Sequence, residues 1–371
     1  MKRLSPSILL WLLSSVGLAL LGGCTPQDNT ASSQVPADST ATRHDSVPRT
    51  PETLLNALNL QIEQKPQDYA LYQQRSEVYF QLDSLPQAVA DIEEAIRRYP
   101  TGPDLRYWRG FLAYVMNDTA QAMRSLRKAD SLGTKNPEVP YQMGQIYFLQ
   151  QKYGLAMDAY RRAARLDAYD PQYIFAQGLL EEERGQIGEA VKLYKQSLGI
   201  DSAFAKSLTR LYDLYLGHYE SQAEALKYND ILLRYSPGHP LGRFQRGNYH
   251  LNRAIAFSGG KLEAQFREQL NEAVVSYTIA VNNDSSYAEA FYNRGFCYFL
   301  GEQRMNEAIA DFEQAAALDS SYAPPRFMLG SIYERNGDLR TALRYYEQAL
   351  ALKPKSEDFR EAVQEVQQKL R

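Results

Sequence analysis

Small and apolar residues recur along most of the chain with one spacing. Ser76, Gly110, Gly144 and Gly178 lie 34 residues apart, and so do Ala88, Ala122, Ala156 and Ala190. The two marks continue with longer steps at Tyr212, Gly247, Gly295 and Gly330, and at Ala225, Ala273, Ala308 and Ala342. Seven residues beyond each alanine stands Ala95, Ala129, Ala163, Ser197, Leu232, Ala280, Ala315 or Ala349. An aromatic residue commonly follows the first mark by three, as at Tyr79, Tyr147, Tyr215, Tyr298 and Tyr333. Seven residues are two turns of an α-helix, so the pattern predicts helices that approach closely along small residues, with tyrosine in the adjacent gap. It predicts eight helix pairs, near 69–102, 103–136, 137–170, 171–204, 205–239, 240–287, 288–322 and 323–355.

From each alanine to the next small residue is 22 positions in all seven cases, so every insertion falls inside a pair. The fifth and seventh pairs carry one extra residue and the sixth carries 14, around residues 254–270. Split over two helices, 14 residues add roughly two turns to each. Ser258-Gly259-Gly260 would be the displaced turn, and Leu262, Phe266 and Leu270 continue an apolar stripe toward Tyr277. Two readings stay open, a longer hairpin packed on itself or a projecting docking knob. At the ends, Thr50-Pro51 predicts a capping helix over 51–65, with Leu54, Leu55, Leu58 and Ile62 on one face. Ser356 opens a second one over 356–371, carrying Phe359, Val363, Val366 and Leu370.

The first residues follow a different pattern. Lys2 and Arg3 precede an apolar run from Ile8 to Leu21, about 14 residues and short of the roughly 20 that span a bilayer. Gly22, Gly23 and Cys24 follow, the layout of a secretory signal. Residues 25–50 lack aromatics and are rich in Ser, Thr, Asp and Pro. They cannot bury enough apolar surface to offset ordering, and predict a tether with a reach on the order of 25–30 Å. Leu21-Gly22-Gly23-Cys24 resembles the bacterial lipobox. That resemblance implies removal of residues 1–23, lipidation of Cys24 and membrane attachment through lipid. It further implies a cell-envelope location, with Thr25 pointing to the outer membrane of a Gram-negative bacterium. A plain signal peptide with an incidental cysteine is the other reading.

The repeat pattern resembles the tetratricopeptide repeat (TPR) over residues 69 to about 355, and "FYNRGFCYFLGEQRMNEAIADFEQAAALDSSY" (291–322) is a close example. Pro100, Pro237 and Pro354 occupy its terminal proline position. The resemblance implies an all-α, right-handed α-solenoid of about eight helix pairs, a concave groove lined by first helices, and protein or peptide partners. Its fifth position faces inward and here holds Gln73, Tyr107, Tyr141, Phe175, Thr209, Phe244, Tyr292 and Phe327. Phe111, Tyr114, Phe148, Phe296 and Phe299 fall on neighbouring inward positions. Two readings of this aromatic stripe stay open, a ligand groove or interhelix packing. The basic clamp that some TPR adaptors use for a terminal carboxylate is not formed. Asn248 and Asn293 fit its asparagine slots, but Phe244, Pro324 and Met328 stand where it needs cations.

Composition narrows function further. The 371 residues carry 41 Lys and Arg against 44 Asp and Glu, a net charge of −3, which gives no basic footprint for nucleic acid. Two cysteines cannot build a disulfide framework, and four histidines leave little scope for a metal site. His218, His239 and His250 lack metal or triad spacing, and "SGGKL" lacks the order of a phosphate loop. Cys297 sits at a small-residue position and is expected to be a buried, inert thiol. The expectation is therefore a scaffold without cofactor, metal or catalysis, with a glycan- or peptidoglycan-binding surface lipoprotein as the alternative.

Overall fold

A computed structural model describes residues 50–371 apart from 259–261 and 302–303. The signal segment, Cys24 and the tether up to residue 49 lie outside the described residues. Among the described residues the chain forms 18 α-helices and no strand, an all-α succession of helix pairs. None of these helices is long and apolar enough to cross a membrane.

The chain divides into two compact units at Ile200. In the first, α1 (Pro51–Gln64) is followed by the pairs α2 (Tyr69–Gln81) with α3 (Leu85–Arg98), α4 (Pro103–Val115) with α5 (Thr119–Ser131), α6 (Glu138–Leu149) with α7 (Tyr153–Leu166), and α8 (Pro171–Glu183) with α9 (Ile187–Ile200). In the second, the pairs are α10 (Ala205–Gly217) with α11 (Gln222–Tyr235), α12 (Pro240–Phe257) with α13 (Glu263–Asn283), α14 (Ala288–Leu300) with α15 (Met305–Leu318), and α16 (Ala323–Arg335) with α17 (Leu339–Leu352). A final helix, α18 (Glu357–Lys369), follows them. Within each unit, helices pack almost wholly on their sequence neighbours, the quasi-one-dimensional contact pattern of repeat proteins.

The alanine seam explains the pairing. All eight alanines from Ala88 to Ala342 are fully buried, and so are their partners seven residues on, down to Ser197 and Leu232. The gap beside each small residue is filled from the second helix, four residues after the alanine, and not by the tyrosine three residues after the glycine. A Cβ on Gly144, Gly178, Gly247 or Gly330 would come within 2.5–2.6 Å of the ring of Tyr160, Tyr194, Tyr277 or Tyr346. Tyr215 and Tyr333 instead stack one turn away, on Tyr228 and Tyr345. Where Tyr212 takes the glycine position, Asn229 stands in place of a large apolar residue. It is buried and bonded to the carbonyl of Gly242.

The arginines before the small positions are structural. Arg75 and Arg294 each grip a buried aspartate, Asp91 and Asp311, with two bonds of 2.7–2.8 Å. Planar, two-point pairing of this kind fixes the angle between helices as well as adding attraction.

The ends and the insertion follow from local chemistry. Thr50 caps α1 by accepting from the Thr53 amide, and Ser356 caps α18 by accepting from that of Phe359. Leu58, Val363 and Val366 are buried, whereas Leu54 and Leu370 remain exposed. The 18 residues of α12 and 21 of α13 exceed the 13 and 14 of most other pairs, so the insertion lengthens both helices. Leu251 and Ala254 meet Leu270, Ala273 and Phe266, and His250 bonds Gln269 at 2.9 Å. The insertion is thus a hairpin packed on itself. Leu262, at its tip, is exposed.

One half-buried carboxyl in the first unit gives a pH-dependent stability. Burial, against the opposing hydrogen bond from the Tyr173 hydroxyl at 2.8 Å, raises the Glu138 carboxyl above the usual glutamate range, and nearby Asp170 adds to the rise. A folded-state pKa above the unfolded value means that the folded form holds the proton more tightly. Its contribution is greatest below the ordinary glutamate pKa and is lost as pH rises through the raised value. Glu138→Gln keeps an acceptor for Tyr173 without the charge. The variant is expected to melt above wild type at pH 7 and to converge with it in acid, as read by thermal melts across pH.

Candidate functional site

The inward aromatic stripe separates into packing and surface. The ring at the fifth position of a first helix meets the ring four residues past the alanine in five pairs. Tyr141 meets Tyr160 at 5.8 Å, Phe175 meets Tyr194 at 5.4 Å, and Phe244 meets Tyr277 at 5.9 Å. Tyr292 meets Phe312 at 5.6 Å and Phe327 meets Tyr346 at 5.2 Å. Packing of this kind contributes roughly 0.5–1.5 kcal/mol per pair beyond area burial.

The first unit has no open aromatic wall at the predicted positions. Phe111, Tyr114, Tyr141, Phe148 and Phe175 are all buried. Phe111 stacks on Trp108 at 4.9 Å, and the Tyr141 hydroxyl accepts from Gln172 at 2.6 Å. Such rings present too little surface to meet a partner directly. Tyr107 is half-buried against the core around Leu126. In the second unit Phe327 is covered by Phe359 of α18 at 4.7 Å, and Phe299 packs around Tyr298 and Met328.

Phe244, Tyr292 and Phe296 remain, and the fold brings these three together. They line a cavity of about 500 Å³ in the second unit, formed mainly by α10, α12 and α14. Polar residues that periodicity alone did not single out share its wall, among them Asp213, Gln245, Asn248, Tyr249 and Asn293. The Asn248 carbonyl oxygen accepts from the Tyr277 hydroxyl at 2.6 Å and from the Asn293 amide at 2.8 Å. With those groups engaged, the Asn248 amide and the Asn293 carbonyl are a donor and an acceptor in one wall, the complement of one peptide unit. Burial raises the Tyr292 hydroxyl above the usual tyrosine range and the Tyr277 hydroxyl well above it, so both act as neutral groups. Asn248 and Asn293 lie on the inward faces of their helices, four residues and one residue past Phe244 and Tyr292. Their fit to the asparagine slots of the carboxylate clamp was the signal available in the sequence.

Cys297 is 2% exposed, and burial pushes its thiol up to about 12, so it stays protonated at neutral pH. It edges a smaller cavity of about 160 Å³ with Arg267 and Arg304, whose guanidinium groups pair with Glu263 and Glu307. The His239 ring caps α12, accepting from the Gly242 amide at 3.2 Å. Among the described residues no group of three potential ligands is placed to hold a metal ion.

Family profiles described as tetratricopeptide repeat match residues 138–170 and 286–355. The chain carries tetratricopeptide repeats. No curated protein sequence matches it. The solved Cut9–Hcn1 hetero-tetramer of the APC/C is similar at 12% identity over 85% of this chain and 59% of that one, with a TM-score of 0.51. YrrB, described as a TPR protein with an unusual peptide-binding site, is 21% identical over 51% of this chain and 96% of its own, with a TM-score of 0.40. A human IFIT1 dimer with m7Gppp-AAAA is 15% identical over 85% and 84%, with a TM-score of 0.46. At such identities the likeness is one of fold. The cavity lies on the first helices of the fifth, sixth and seventh helix pairs, the last of them within a matched stretch.

Proposed function

We propose that the protein is a lipid-anchored scaffold of the bacterial cell envelope that holds protein or peptide partners in the groove of its second unit, without catalysis. The observation that carries the reading is the wall where Asn248 and Asn293 interlock beside Phe244, Tyr292 and Phe296. Aromatic surface gives contact area at low entropy cost, while paired amides match an extended backbone. The lipobox-like Leu21-Gly22-Gly23-Cys24 supports the anchor and an outer-membrane location. A second reading takes a glycan in the same groove, since rings beside amides also suit sugar faces and hydroxyls.

Selection of displayed random dodecapeptides against the mature chain tests the groove. Recovered peptides should bind wild type and lose affinity at least tenfold on Asn248→Ala or Asn293→Ala, by fluorescence anisotropy. Recovery of no peptide, with saturable binding of peptidoglycan fragments, would establish the glycan reading instead. Peptides whose binding ignores both asparagines would place the site elsewhere on the TPR surface.

A further inference from the structure

Gly242 pins the start of α12, and its two backbone groups have different partners. It lies in the first turn, so close to α11 that a Cβ there would come within 2.9–3.0 Å of Leu232 and Leu233. Its carbonyl accepts from the buried Asn229 amide of α11 at 2.9 Å. Its N–H is one of the donors that a helix start leaves without an intrahelical partner, and it goes to the His239 ring. Leu241 and Phe244, one residue before Gly242 and two after it, line the cavity. The bond to His239 therefore holds one end of the groove wall.

A histidine ring is a cap acceptor that can be protonated between about pH 5 and 8. An amide N–H can only donate, so His239 Nδ1 carries a lone pair and the neutral ring has its proton on Nε2. Protonation of Nδ1 removes the acceptor, sets two donors against each other and adds a cation at the positive end of the helix dipole. Burial lowers the His239 pKa from the ordinary 6.5, and no charged group adds to that cause. At the helix ends that accompany this turn the charged residues are Lys206 on α10, Arg234 on α11, Asp284 after α13 and Glu289 on α14. On α12 itself Arg243 is turned back to the Pro237 carbonyl. A folded-state pKa below the unfolded value means that the folded form holds the proton less tightly. The contribution of the cap is thus full above 6.5 and is lost as pH falls from there through the lowered value.

We infer that His239 is a positioning residue for the groove, an acid-releasable cap that holds the first turn of α12 in place at neutral pH and frees it, with Leu241 and Phe244, when the ring is protonated. The inference rests on the peptide reading above and adds a pH dependence to it. Other first helices of the chain are held differently. Asp68 and Asp170 cap α2 and α8 through carboxylates, which stay ionised across the range in which a histidine titrates.

Amide hydrogen exchange of the mature chain, read by mass spectrometry over residues 239–248 at about pH 7.5 and about pH 5.5, tests the release without a ligand. Wild-type protection there, corrected for intrinsic rates, should fall about three- to tenfold in acid, the span that loss of one cap supplies. His239→Asn keeps a cap acceptor that does not titrate, so its protection should stay level between the two conditions. His239→Ala should be poorly protected in both. Peptides from the selection above should lose wild-type affinity by a similar factor in acid. Binding should be weak throughout in His239→Ala, and His239→Asn should rescue it with a flat pH profile. His250, on the same helix and bonded to Gln269, is untouched by these substitutions, so an acid loss that persists in His239→Asn would overturn the inference. Equal wild-type protection in both conditions would overturn it as well. Recovery of no peptide would overturn the groove reading and the link to binding, while acid-sensitive exchange that the asparagine abolishes would still support the cap.

Discussion

Tyr277→Ala is expected to cost the second unit about 3–5 kcal/mol of folding free energy, the range for removing a large ring from a close-packed core. The side chain is fully buried, its ring seated on Gly247 and 5.9 Å from Phe244, with its hydroxyl donating to Asn248. Truncation opens a hole against a glycine that carries no side chain to close it. It also frees Asn248 from the stronger of its two donors. Tyr277→Phe separates the terms, since the ring stays and one hydrogen bond goes, for a loss of about 1 kcal/mol. The reciprocal change, Gly247→Ala, places a Cβ 2.5 Å from that ring. Overpacking costs roughly 1–3 kcal/mol and outweighs the ~1 kcal/mol that alanine gains over glycine in a helix. Urea unfolding followed by far-UV circular dichroism measures all three. A Tyr277→Ala variant within 1 kcal/mol of wild type would show that the tyrosine-on-glycine contact does not hold the pair together. Peptide affinity should fall in Tyr277→Phe even though its fold is retained, because Asn248 then keeps only Asn293 as a donor.

The same residue shows which parts of the structure were readable in the sequence. Glycine and alanine spacing reports close approach directly, because only small residues fit where two backbones meet, and the eight pairs follow from it, while the end helices follow from their cap residues and apolar faces. What enters the space beside a glycine is set by the crossing geometry of two helices, and a tyrosine three residues on looked as suitable as one from the partner helix. Ring-on-ring contacts at Tyr141, Phe175 and Phe327 have the same cause. An inward-facing aromatic period is identical whether the ring is sealed by its partner helix or left with an open edge. Sequence spacing therefore named eleven rings, and the structure places three at one cavity. The polar members of that cavity were harder to see. Asn248 and Asn293 stood out only against a basic clamp that this chain lacks. Asp213 carries no motif and gains meaning only when Gln245, 32 residues away, is found bonded to it.

Cys24→Ala should move the protein from the membrane to the soluble fraction of the envelope while leaving the repeats folded. The argument is one of chain count and distance. An apolar run from Ile8 to Leu21 is too short to span a bilayer, so attachment through this region rests on acyl chains at Cys24. Each buried methylene contributes about 0.8 kcal/mol, and a single chain holds a protein only marginally, whereas two or more give stable anchoring. Losing the thiol removes the attachment atom for every chain at once, so release should be nearly complete rather than graded. The first described helix begins at Pro51, 27 positions beyond Cys24, and its cap comes from Thr50, so the helix start does not depend on the substituted residue. Fractionation of cells expressing each form, with metabolic labelling by a palmitate analogue, reads both halves of the expectation. Wild type should carry label and sediment with membranes through a high-salt wash, and the variant should do neither while giving an unchanged circular dichroism spectrum. A variant that still sediments after that wash would refute the lipid anchor. An unlabelled wild type found in the soluble fraction would favour the plain signal peptide, with the groove then acting on soluble partners in the same compartment.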